Sequence, residues 1–135
     1  MTENKINKLQ NAAVRLLFLQ LSLKTKWFKM TEAGVKTEDY REITSYWIKR
    51  LVECVLDEQG NITKPIGDYA QVDYCRFIFK PFTQNTMTLG YPKSTDKERI
   101  LSLEHKGIEI RTGKPQWGAE PNKLYFVIKH GAIIG

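Results

Sequence analysis

Cysteine, histidine and long apolar runs are all scarce in this chain, and each shortage closes off a class of protein. Two cysteines, Cys54 and Cys75, stand in 135 residues. Both lie in apolar stretches, where Cys acts as a small hydrophobe and a reducing compartment keeps it a thiol. Buried thiols, no disulfide and a cytoplasmic address are therefore expected. The longest apolar run, around Ala12 to Leu23, is interrupted by Arg15, Gln20 and Ser22. It is too short and too polar to span a bilayer, and no small-residue cleavage site follows it as a signal peptide would require. No membrane association is expected. The two histidines, His105 and His130, stand far apart, and neither has a second ligand at zinc-like spacing. Both read as surface or turn residues, and no metal is expected. Phosphate-binding loops, dinucleotide-binding glycine runs and nucleophile-elbow serines are absent from the sequence, so no cofactor is expected.

What is present is ordinary in bulk and skewed in charge. Apolar residues make up 41% and charged residues 27%, a globular balance. The length suits a single domain over residues 1–135, able to bury a core without staples. The 21 Lys and Arg against 15 Asp and Glu give a formal charge of +6. Such a surplus favours polyanionic partners through long-range attraction and counterion release.

Periodicity predicts the order of elements. Ile6, Leu9 and Ala13 recur at helical spacing, suggesting an N-terminal helical extension over residues 1–14. Leu17, Leu19, Leu21 and Leu23 alternate with Phe18, Gln20 and Ser22, the pattern of a half-buried strand. Thr25 then caps a helix over 26–33 that ends at Gly34, with Trp27 and Met30 facing inward. A second strand over 37–43 leads to Thr44 or Ser45, either of which caps a third helix carrying Trp47, Ile48, Leu51, Val52 and Val55 on its apolar side. Residues 57–68 read as a loop or irregular hairpin, and 72–80 as a strand. The polar stretch 81–98 reads as a long loop. Residues 100–111 form one bent strand or two short ones about Gly107, and 112–122 form a loop. Strands over 124–130 and 132–134 complete the chain. Helices early and strands late predict an α+β fold with a strongly curved mixed sheet or small β-barrel, short helices lying at its edge.

The informative segment runs from Trp27 to Glu42. Lys36 stands at the mouth of the second strand, and charges alternate along it. Strand geometry puts Asp39 and Arg41 on one face and Glu38, Tyr40 and Glu42 on the other. Whichever face meets the core takes at least one charge with it, and that charge needs a partner or a ligand. The plainer reading is an edge strand whose charges are solvated or pair with each other.

The pattern Gly34-x-Lys36-Thr37-x-Asp39-x-Arg41, after a helix that follows an apolar strand, resembles the signature of the ASCH domain. The similarity extends to a phage-like branch of that family through three further blocks. These are Leu23-Lys24-x-x-Trp27-Phe28-x-Met30, Tyr40-Arg41-Glu42-Ile43 with Tyr46-Trp47 and Lys49-Arg50-Leu51, and Gly113-x-Pro115-x-Trp117-Gly118-Ala119. ASCH domains are similar to the PUA domains of RNA-modification proteins, compact β-barrels with short helices at the edge. The family usually carries Glu where this chain has Asp39, and the stretch 83–98 has no counterpart in the short family pattern.

The resemblance implies binding of RNA or modified nucleosides in a cleft beside Gly34-x-Lys36. Some ASCH-like proteins are amidohydrolases acting on acylated cytidines, and others are ribonucleases. In the amidohydrolases a Lys matching Lys36 is catalytic, with a Thr where this chain has Asp39 and a Glu from a later strand; Glu104 and Glu109 are the later carboxylates here. Two functions are therefore weighed. One is a non-catalytic module binding RNA or a nucleotide through Lys24, Lys36, Tyr40, Arg41 and Trp117, where Arg offers bidentate phosphate contact and the aromatics stack on bases. The other is a small hydrolase of modified nucleosides or RNA, with Lys36 and Asp39 as its catalytic pair. Tyr46 and Trp47 are further stacking candidates, with core packing the plainer role for Trp47 on its helical stripe. An accessory protein with a protein partner is also compatible with the sequence.

Overall fold

A computed structural model describes residues 17–63 and 75–134. The helix expected over 1–14 and the first residues of the strand expected over 72–80 lie outside the described residues. In chain order the elements are β1 (Phe18–Leu23), α1 (Thr25–Glu32), β2 (Glu38–Arg41), α2 (Ser45–Leu51), β3 (Val52–Leu56), β4 (Ile62–Thr63), β5 (Arg76–Phe79), β6 (Gln84–Leu89), β7 (Ile100–Thr112) and β8 (Leu124–Ile133). The class is α+β with a strongly curled, half-barrel sheet and short helices, as the sequence predicts. Two compact units share the chain, one of Leu16–Arg41 with Phe82–Gly135, the other including Glu42–Pro81.

The larger unit holds a five-stranded sheet of order β1-β6-β7-β8-β2. The β1 alternation appears as predicted, with Leu19, Leu21 and Leu23 buried. Each such side chain contributes about 1.5–3 kcal/mol by leaving water. The stretch 81–98, expected as a loop, instead contains β6, which pairs parallel to β1 and antiparallel to β7. Gln84, Asn85, Thr86 and Thr88 outnumber Met87 and Leu89, so apolar alternation marks it only weakly. Pairing on both sides, rather than propensity, makes it a strand. Asn85 lies in register between Leu19 and Leu103, and Met87 between Leu21 and Leu101. β7 is a single 13-residue strand, bent at Gly107 (φ +105), where its register with β8 shifts. β8 is one ten-residue strand that passes through Gly131, rather than two. At the sheet's far edges, Arg41 Nη2 on β2 donates to Ser22 O on β1 at 3.2 Å.

α1 starts one residue earlier than expected and buries Phe28 and Thr31, while Trp27 and Met30 stay half-buried. In so short a helix a one-position rotation decides which side chain reaches the core. Gly34 adopts φ +76, and both Val35 N and Lys36 N donate to Met30 O, which turns the chain sharply into β2.

In the smaller unit, Thr44 caps α2 by accepting from Trp47 N. The helix stops at Leu51, a turn earlier than its apolar stripe suggests, because Val52–Leu56 pairs as β3 with β4 and β5. The β-branched Val52 and Val55 favour that outcome. A turn at 57–61 joins β3 to β4, with Asp57 Oδ1 accepting from Gln59 N and Asn61 N and Gly60 at φ +80. Trp47 is half-buried, with Tyr46 edge-on to its ring at 5.1 Å. Cys54 is buried, Cys75 is half-buried, and both are free thiols.

On the outer side of β8, Ala119, Tyr125 and Val127 form a small core roofed by Tyr40. Gly113 makes room for that roof, since a Cβ there would lie 2.7 Å from both Tyr40 Cε1 and Ala119 Cβ. Gly113→Ala is expected to lower unfolding free energy by about 1–3 kcal/mol through overpacking, read as a reduced urea midpoint with an unchanged slope.

Candidate functional site

β2 carries charge on both faces, and both sets of charges are paired. The helix turn at Gly34 swings Lys36 inward, while strand alternation sends Asp39 to the same interior face as Ile128 and His130 of β8. Lys36 Nζ donates to Asp39 Oδ1 and, at 2.6 Å, to Glu38 O. His130 Nε2 lies 2.6 Å from Asp39 Oδ2. The Lys36, Asp39 and His130 side chains are 1%, 4% and 1% exposed, so the cluster is closed to solvent. Behind it stands Asn85, with Nδ2 2.6 Å from His130 Nδ1 and 3.3 Å from Lys129 O, and Oδ1 2.7 Å from His105 Nδ1.

Donor and acceptor roles along this chain are determined by its two ends. The Lys129 carbonyl can only accept, so the amide nitrogen of Asn85 faces it and also donates to His130 Nδ1. That leaves Nε2 of His130 as the donor to Asp39, and Nδ1 of His105 as the donor to the Asn85 oxygen. One polar chain thus runs from Lys36 through Asp39, His130 and Asn85 to His105, across β2, β8, β6 and β7. Among the described residues no buried side-chain nitrogen or oxygen lacks a partner.

Electrostatics follow burial. Burial lowers the proton affinity of Lys36 by more than the Asp39 charge and hydrogen bond raise it. For Asp39 burial raises the pKa, but the His130 bond and the Lys36 charge prevail and hold it at about 2. Burial and the neighbouring His130 and Lys129 push His105 down to about 4.

The outer face of β2 bears a second network. Arg111 of β7 forms a bidentate pair with Glu38, at 2.8 and 2.9 Å, and its Nε donates to Glu109 at 2.6 Å. Lys129 Nζ is 3.6 Å from Glu109. Tyr40 donates to Glu38 Oε2 at 2.8 Å and accepts from Lys114 N at 2.9 Å. Burial and the Glu38 carboxylate push the Tyr40 phenol up to about 12.

Around these networks lies a basic and aromatic rim. Lys24 is exposed at the start of α1, and Arg41, half-buried, donates to the Tyr40 and Ser22 carbonyls. The Trp27 ring lies against Gly118, where φ +99 and the lack of a side chain admit it; a Cβ would sit 2.9 Å from the ring. Lys36 Nζ is 6.0 Å and Lys26 Nζ 4.9 Å from the same ring. Lys114 stands 4.3 Å over Trp117, which is half-buried in the turn following β7.

The structure therefore joins Lys36 to Asp39 and places Lys24, Tyr40, Arg41 and Trp117 in the same unit around them. It corrects the reading of the histidines, which are neither surface nor turn residues: His130 is buried and His105 half-buried, in register with each other across β7 and β8. No local motif marks Asn85, whose histidine partners lie 20 and 45 positions away, or the pairing of Arg111 with Glu38, 73 positions away. Of the later carboxylates, Glu104 accepts from Ala132 N and Glu109 pairs with Arg111. Among the described residues no group of three or more His, Cys, Asp or Glu could hold a metal, and no helix is long and apolar enough to cross a membrane. No family profile, curated protein or solved structure matches the chain.

Two outcomes follow for stability. His105 binds a proton near its ordinary 6.5 when unfolded but only near 4 when folded. The unfolded state gains protons first, so stability is full above pH 6.5 and declines as pH falls toward 4. Chemical denaturation across that window is expected to show the decline in wild type and a flatter profile in His105→Gln. Asp39→Ala strands the Lys36 ammonium and is expected to cost about 3–5 kcal/mol, measured by urea unfolding at pH 7.

Proposed function

We propose that the protein is a non-catalytic, ASCH-type module that binds RNA or a nucleotide on the rim above the Lys36–Asp39 pair. The observation that carries this reading is a division of charge. The inner cluster is satisfied within the protein and nearly unexposed, whereas Lys24, Lys26 and Lys114 stand in water, Lys26 beside Trp27 and Lys114 beside Trp117. Exposed cations interleaved with aromatic faces suit phosphate and base together. Lys24 and Lys114 meet phosphate, Trp117 stacks on a base, and Arg41 and Tyr40 set the rim's shape while offering a guanidinium and a ring edge. Lys36, buried and paired with Asp39, supports the rim from beneath by holding the start of β2 in place.

Hydrolysis of acylated nucleosides is a second reading, favoured by the burial that lowers the proton affinity of Lys36 despite Asp39. It requires product formation from an acylated cytidine that disappears in Lys36→Met.

Binding of short labelled single-stranded RNA and DNA at two salt concentrations tests the first reading. Trp117→Ala is expected to lose about 1–3 kcal/mol of affinity if its ring stacks on a base. Lys24→Ala and Lys114→Ala should each flatten the logarithmic salt dependence by about 0.7. Arg41→Lys is the suitable change at Arg41, since truncation would also free the Ser22 contact between sheet edges. If wild type binds neither strand nor free nucleotides at low salt, the binding reading fails.

A further inference from the structure

Tyr91 is 98% exposed, although its neighbours are anchored. An aromatic ring offers about 150–250 Å² for burial, and leaving all of it in water forgoes that gain. Gly90, at φ +65, and Pro92 bracket the ring and restrict the backbone that presents it. The base of this loop is tied to the sheet, since Gly90 O accepts from Thr88 Oγ1 at 2.9 Å and from Ser22 Oγ at 3.4 Å.

That anchoring places Tyr91 beside the rim. Leu23 pairs with Leu89 in parallel register, so Lys24 and Gly90 leave the sheet side by side. Ser22, which reaches Gly90, also accepts from Arg41. From Tyr91 the chain turns through Lys93, with Asp96 N donating to Lys93 O at 2.9 Å, and returns to β7 by a single turn at Lys97–Arg99. Lys24, Lys93, Lys97 and Arg99 are all exposed here, against an exposed Glu98 and a half-buried Asp96. The balance is positive, which favours a polyanion over an acid-poor protein surface.

We propose that Tyr91 is a stacking platform for one base of a single-stranded nucleic acid whose flanking phosphates meet Lys24 and Lys93. The inference rests on the binding reading above and specifies its ligand. Gly118, next to Trp117, packs against Trp27, and Gly90, next to Tyr91, leaves the sheet beside Lys24, so both aromatics belong to loops that adjoin the start of α1. Two stacking rings on separate loops suit a strand of several nucleotides rather than a mononucleotide.

The experiment is fluorescence anisotropy with labelled oligouridine hexamer, competed by hexamer or by uridine monophosphate, for wild type, Tyr91→Ala, Tyr91→Phe and Lys93→Ala. The Tyr91 ring is in solvent, so unchanged circular dichroism and urea midpoints are expected for its variants. Tyr91→Ala should weaken hexamer binding about 5- to 150-fold, the range that one lost base stack gives, while Tyr91→Phe stays within about twofold because stacking needs only the π face. Lys93→Ala should reduce the salt slope by about 0.7. Hexamer binding by wild type that Tyr91→Ala retains in full overturns the platform and leaves the rim reading standing. Monophosphate competing as well as hexamer overturns the assignment to a strand. No hexamer binding by wild type at low salt overturns both.

Discussion

The contact of Lys36 with Asp39, backed by His130, constrains more of this structure than any apolar contact does. Removing ionisable groups from water costs several kcal/mol each, and their attraction repays this only when geometry is good and the remaining donors are used. Here they are used: Lys36 shares its ammonium with Glu38 O, and His130 passes its second nitrogen to Asn85. The arrangement demands a helix that ends at Gly34, a strand that begins within two residues of Lys36, and a β8 long enough to bring His130 level with Thr37, whose carbonyl accepts from His130 N. A one-residue slip of β2 against β8 would send Asp39 outward and bring Glu38 and Tyr40 inward. Lys36 would then be buried alone. The ion cluster thus makes the four-residue edge strand specific in register, which so few backbone bonds could not do themselves.

The outer face of β2 follows from the same register. With Asp39 inside, Glu38 and Tyr40 must lie outside, opposite Arg111 and the turn at Gly113. Burial raises the pKa of Glu38, but the Arg111 and Tyr40 bonds outweigh it, so the carboxylate stays ionised and anchors that guanidinium. Glu38, Asp39 and Glu109, three of the chain's acidic groups, are consumed in pairs within the sheet. Exposed basic residues stand on α1 and in the loops at 90–99 and 113–118, among them Lys26, Lys93 and Lys114.

Much of the frame was legible in sequence. Leucine alternation located β1, Gly34 the end of α1, Thr44 or Ser45 the cap of α2 and Gly107 the bend of β7, since each depends on local backbone chemistry. The pairing of β2 charges was also foreseeable, because a strand of alternating charge must bring one of them to the core. Other features depend on distant partners. β6 carries Gln, Asn and Thr, and its strand character comes from being sandwiched between β1 and β7. Asn85 replaces an apolar side chain in the row between Leu19 and Leu103 because two histidines, 20 and 45 positions later, need it. α2 loses its last expected turn to the pairing of β3, a competition that helical periodicity cannot register.

The aspartate at position 39 has a physical rationale in this setting. Its carboxylate is held close to the β2 backbone, with Lys36 on one oxygen and His130 on the other, and the Glu38 carbonyl beside it shares the same ammonium. A glutamate would carry its carboxylate one bond further, into the place where His130 already stands at 2.6 Å, and would have to fold back in a poorer rotamer to keep Lys36. His130 is in turn held by Asn85, which is anchored by the Lys129 carbonyl and by His105, so it cannot retreat without breaking the chain behind it. The shorter acid and the polar chain that backs it are therefore one solution: the carboxylate reaches less far because the imidazole reaches further.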